Sequence, residues 1–79
     1  MRSVHTGAYK AVIHALKQAR RRARMTQQQL AERLGKPQSF VAKYESGERR
    51  VDVAEFIVIV RAIGADPVRL FSAIVKKAT

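Results

Sequence analysis

From residue 8 onward, apolar residues recur every three or four positions. Tyr9, Val12, Ile13, Leu16 and Ala19 keep the i, i+3, i+4, i+7 spacing of one helix face, while Lys10, Lys17, Arg21 and Arg24 take other faces. This predicts a first helix from Ala8 to about Ala23. Residues 1–7, "MRSVHTG", show no such period and read as a flexible tail ahead of a single domain at 8–79. A second unit follows in "MTQQQLAERLG". Thr26 is a good N-cap, Gln29 three residues on completes a capping box, and Leu30, Ala31 and Leu34 form the stripe. Gly35 supplies the left-handed residue that ends it. In "KPQSFVAKYESG", Pro37 suits a helix start, Val41 and Tyr44 share a face, and Gly47 stops the run. So little chain around Gly35 separates these two helices that they must turn sharply against each other.

The segment "EFIVIV", residues 55–60, is ambiguous by propensity, because Val and Ile favour strands. Its punctuation is helical. Asp52 and Glu55 form a second capping box, and Gly64 closes the far end. Val53 to Ile63 is the length of an ordinary helix, and a lone strand would leave its backbone groups unpaired. The expected core face is Phe56, Ile57, Val60 and Ile63, which leaves Val58 and Ile59 over. Asp66 and Pro67 then start a fifth helix whose apolar face is Leu70, Phe71, Ile74 and Val75, with lysines near its C-terminus.

Composition narrows the class. The chain has 79 residues, which suits one domain with a small core. It has no cysteine, so neither a disulfide nor a thiolate metal site is available. His5 and His14 lie far apart without metal-ligand spacing, and no cofactor or metal is expected. No apolar run approaches a membrane span or a signal-peptide core. The chain is therefore expected to be cytoplasmic. Sixteen Lys and Arg against six Asp and Glu give a net charge of +10, which favours polyanionic partners, nucleic acid first. Aromatic residues are 6% and Trp is absent, so stacking platforms for single strands are poorly supplied.

The stretch "TQQQLAERLGKPQSFVAKYESGERR" resembles the helix-turn-helix of the Cro/CI-like, xenobiotic-response-element (XRE) family. Gln27, Ala31, Gly35, Val41, Glu45 and Gly47 carry the resemblance by their joint spacing. It covers about residues 10–74, and it implies an all-α, five-helix, lambda-repressor-like domain with the motif at about residues 27–46. It further implies double-stranded DNA as partner and a transcriptional regulator, a repressor above all, that acts near the nucleoid of a prokaryote or phage. The third helix would enter the major groove with its N-terminal end first. Gln38, Ser39 and Lys43 would read base edges, and Gln27, Arg49 and Arg50 would contact phosphates. Arg20 would pair with Glu45 and orient the third helix. Arg21, Arg22 and Arg24 are either backbone contacts or plain surface charge. Two departures stand out. Pro37 replaces a capping Ser or Thr, and Phe40 faces either DNA or its own neighbours. Related repressors pair through the C-terminal half, which implies a homodimer with Val58, Ile59 and Ile74 as candidate interface residues.

Three rival functions stand beside this one. One is an antitoxin that binds a toxin protein and represses its own operon, and a second is a protein-bridging coactivator-like module, which usually carries additional segments. The third, of another class, is a basic membrane-surface binder built on the first helix, which lacks the Trp or Phe such helices use. No enzyme is expected. There is no Ser-His-Asp set, no phosphate-cradling glycine loop and no metal cluster, and no small-molecule ligand is expected either.

Overall fold

The computed structural model describes residues 7–78. Those residues form five helices: α1 (Gly7–Arg22), α2 (Gln27–Leu34), α3 (Gln38–Ser46), α4 (Val53–Ile63) and α5 (Pro67–Ala78). The first helix begins at Gly7, one residue ahead of the expected start; the rest of the expected tail lies outside the described residues, as does His5. Both capping boxes form. Thr26 Oγ1 accepts from the Gln29 amide at 3.0 Å while the Gln29 side chain accepts from the Thr26 amide at 2.9 Å. Asp52 and Glu55 repeat the arrangement at 2.7 and 3.0 Å. Each box satisfies two amides that a helix start leaves without partners. At α5 the Asp66 carboxylate accepts from the Val68 amide at 2.9 Å.

Gly35 ends α2 at φ 68°, ψ 32°, where a side chain would be strained. Its amide and that of Lys36 return to the Glu32 and Ala31 carbonyls, and the chain re-enters helix at Gln38. Pro37 stands at the N-cap of α3, one position before the helical site that suits proline best, and it makes no side-chain cap bond. Its carbonyl accepts from the Phe40 amide at 2.9 Å.

The core is a single cluster in which Leu16, Leu30, Ala31, Val41, Tyr44 and Val60 are completely buried. α2 lies against α3, α1 against α5, and α4 closes on α1, α2 and α5. Ala31 is small where α2 meets α3. The Tyr44 hydroxyl is buried without a hydrogen-bond partner, and burial, followed by the neighbouring Glu45 carboxylate, pushes the phenol well above its ordinary value.

Two expectations about the core are corrected. In α4 the buried residues are Phe56, Ile59, Val60 and Ile63, whereas Ile57 is 37% exposed. At about 100° per residue, these four fall within roughly 100° of arc, and Ile57 lies at its flank. Ile59 is 1% exposed and Ile74 is buried on α5, so neither presents itself to another subunit; of the three candidate interface residues only Val58 faces out. On α5, Leu70 and Ile74 pack inward against α1, while Phe71 and Val75 join Val68 in an exposed apolar stripe. Phe71 still touches the core through an edge-to-face contact with Phe56, ring centroids 6.2 Å apart.

Candidate nucleic-acid interface

α3 divides cleanly into two sides. Val41, Tyr44 and Glu45 are buried, and Gln38, Ser39 and Lys43 are exposed. The exposed three span about 140° of arc on a helix of about 100° per residue, so one approaching surface reaches all of them.

The helix is held by a chain of polar contacts that crosses three elements. Arg20 on α1 grips Glu45 with two parallel bonds, Nε to Oε2 at 2.7 Å and Nη2 to Oε1 at 2.9 Å. This fork is the strong geometry for an arginine and a carboxylate. Its third contact, Nη1 to the Met25 carbonyl at 2.7 Å, ties the same guanidinium to the α1–α2 corner. The bonds to Glu45, against the opposing cost of burial, raise the guanidinium above its ordinary pKa. Glu45 Oε1 also accepts from Gln27 Nε2 at 2.9 Å. Gln27 Oε1 in turn accepts from Gln38 Nε2 at 2.7 Å. The order is Arg20, Glu45, Gln27, Gln38: from the interior of the fold to the outward tip of α3.

Gln27 is the middle link. Both ends of its amide are engaged inside the protein, the nitrogen on Glu45 through one of its two hydrogens and the oxygen by Gln38, so its side chain holds Gln38 in place. The signal was present in the sequence as two glutamines on helices joined by a tight turn, but helical spacing says nothing of contacts between helices.

Arg49 is also engaged. It forks onto Glu55 at 3.1 and 2.7 Å, donates to the Arg50 carbonyl at 2.9 Å, and lies over the Phe40 ring at 4.7 Å. Lys36 approaches the same ring at 5.4 Å. Phe40 is therefore half-buried, edge-on to Tyr44 and flanked by two cations, which answers whether it faces DNA or its neighbours. Arg50 lies over the Tyr9 ring at 4.8 Å and remains exposed.

The Arg49 fork, and next the Asp52 amide, lower the Glu55 carboxyl from the ordinary 4.5 to about 2. A carboxylate depressed by folding stabilises the fold above its unfolded pKa and loses that contribution as pH falls toward the folded value. Stability should thus decline between 4.5 and about 2, and Glu55→Gln should flatten that part of the curve. Thermal midpoints of the two proteins across this range provide the check; parallel curves would remove the assignment.

Among the described residues no cluster of His, Asp or Glu suits a metal ion, and no helix is long and apolar enough to cross a membrane. A family model described as helix-turn-helix matches residues 16–70. Among solved structures, the chain is similar to an XRE-family like protein from Pseudomonas syringae pv. tomato str. DC3000, with 47% identity, a TM-score of 0.87, and coverage of 95% of this chain and 92% of that one. No curated protein matches the chain. The family is one of DNA-binding regulators, not of enzymes. The paired α2 and α3, the left-handed Gly35 between them and these two matches agree: the chain belongs to the Cro/CI, XRE-type helix-turn-helix family.

Proposed function

We propose that the protein is a sequence-specific double-stranded DNA binder that acts as a transcriptional repressor, with α3 in the major groove. The observation that carries this reading is the tethered amide of Gln38. Its nitrogen has two hydrogens, one of which is used on Gln27. What remains is one donor beside one acceptor, the complement of adenine N7 and N6. Guanine offers two acceptors on that edge and leaves the amide oxygen unmatched. Ser39 and Lys43 complete the reading face, and Lys43 suits guanine. Arg50, the Gln27 backbone amide and Arg49 through its outer edge are the phosphate contacts, which position the domain without reading sequence.

Selection of duplexes from a random library on the intact chain tests this reading. Enrichment of a defined motif is expected; recovery of unrelated sequences would sink it. Within the motif, Gln38→Ala should relax preference at one adenine by about 1–3 kcal/mol and leave other positions alone. A uniform loss at every position would reassign Gln38 to the backbone.

The same reading includes a homodimer. Val68, Phe71 and Val75 form an exposed stripe along α5, and Phe71 shares an apolar recess with Val53 and Phe56 of α4. A second copy would cover this surface with the same surface of its own, as two-fold pairing requires. Palindromic half-sites would follow. Sedimentation should give a dimer, and Phe71→Asp a folded monomer; a wild-type monomer at high micromolar concentration would end the pairing idea.

A further inference from the structure

We propose that Arg24 is a DNA-backbone contact, placed there by the left-handed turn that ends α1. This deepens the DNA-binding reading above and rests on it.

The observation is a departure from a pattern within the chain. Four described residues have positive φ: Arg24 at 59°, Gly35 at 68°, Gly47 at 88° and Gly64 at 92°. All four end helices by the same pair of backbone bonds. At Arg24 the Met25 amide returns to the Arg20 carbonyl at 3.2 Å and the Arg24 amide to Arg21 at 2.9 Å. At Gly35, Gly47 and Gly64 the equivalent amides return five and three residues back in the same way. The conformation disfavours any residue with a Cβ, and three of the four positions carry glycine. The fourth carries an exposed arginine whose side chain makes no hydrogen bond or ion pair with the other described residues. Its side chain does not support the fold through a polar contact, and its backbone favours a residue without one.

The position gives the side chain a use. The Arg20 bond to the Met25 carbonyl pins the corner, so the root of the Arg24 side chain has a fixed direction. Two residues later Thr26 caps α2, and Gln27, its first residue, holds Gln38. A guanidinium rooted at this corner flanks the same end of the motif and meets the phosphate run beside the groove that α3 enters. Arg22 is different: it lines the recess between α1 and α5 with Leu70, Ile74 and Lys77. The basic run "RRRAR" therefore separates into an internal tie (Arg20), a residue on the α5 side (Arg22) and a phosphate contact (Arg24).

The test compares Arg24→Gly, Arg24→Lys and Arg22→Ala with the wild type, using a duplex recovered by selection on the intact chain. Arg24→Gly should melt above the wild type, because the strain is relieved, yet bind more weakly. Its slope of log affinity against log salt should be shallower by about 0.9 for each bound subunit, the value of one lost phosphate contact per copy. Arg24→Lys should keep the wild-type slope, and so should Arg22→Ala. If Arg24→Gly keeps the wild-type slope, or Arg22→Ala loses as much, Arg24 is plain surface charge and the proposal falls. A wild-type slope near zero would overturn the DNA-binding reading itself, a distinct failure.

Discussion

Glu45→Ala is expected to melt far below the wild type. The Arg20 and Glu45 side chains are 10% and 3% exposed, and removal of the carboxylate leaves the guanidinium buried with one carbonyl for company. Breaking a buried pair from one side costs about 3–5 kcal/mol. A domain of this size has about 4–12 kcal/mol in all, at roughly 0.05–0.15 kcal/mol per residue. The thermal midpoint should fall by about 12–40 °C, at roughly 4–8 °C per kcal/mol. Circular dichroism melting reads this directly, and a midpoint within a few degrees of wild type would mean that the pair is not the tie described here. Arg20→Met with Glu45→Leu should recover much of the loss, since apolar replacement of both partners is often neutral. That double variant should still bind DNA poorly. Gln27 would have lost its acceptor, and Gln38 its fixed partner. Stability regained without affinity regained would separate folding from orientation.

Affinity for a duplex should fall by about 10³–10⁵ between roughly 50 and 200 mM salt if a dimer neutralises about six to ten phosphates. The net charge of +10 and the Arg50, Arg49, Lys43 and Arg24 cations around α3 lead to this expectation. A filter-binding or fluorescence titration at several salt concentrations suffices. A flat response would exclude phosphate contacts as the main source of affinity, and with them the reading of α3 as a groove-bound helix.

The helix boundaries were legible because they are written in local chemistry. Thr26 with Gln29 and Asp52 with Glu55 act over three residues, and Gly35 and Gly64 act alone. This is why "EFIVIV" could be recognised as helix despite its strand-like composition. The burial of Ile59 in place of Ile57 was not legible. Both are apolar, and the choice depends on how α4 is rotated against α1, α2 and α5, which periodicity within one segment does not encode. Phe71 and Val75 escaped for the same reason: α5 has an inner and an outer apolar face, and only its partners distinguish them. The Arg20–Glu45 pairing came from family resemblance, since residues 25 positions apart have no spacing rule. The link from Gln38 to Gln27 and the Arg49–Glu55 fork depend on turns between helices. Arg24 was visible only as one more charge, because nothing about an arginine announces a left-handed backbone.

The acidic residues described above are occupied at helix starts and in ion pairs: Asp52, Glu55 and Asp66 at the helix starts, and Glu45 on the buried side of α3. Six carboxylates cannot balance sixteen cations in any case. The free protein therefore folds against its own repulsion, which added electrolyte relieves. The isolated chain should become harder to melt as salt rises, while its hold on a duplex loosens. The field that draws in the polyanion is the one that strains the unliganded fold, and the duplex is the counterion that settles both.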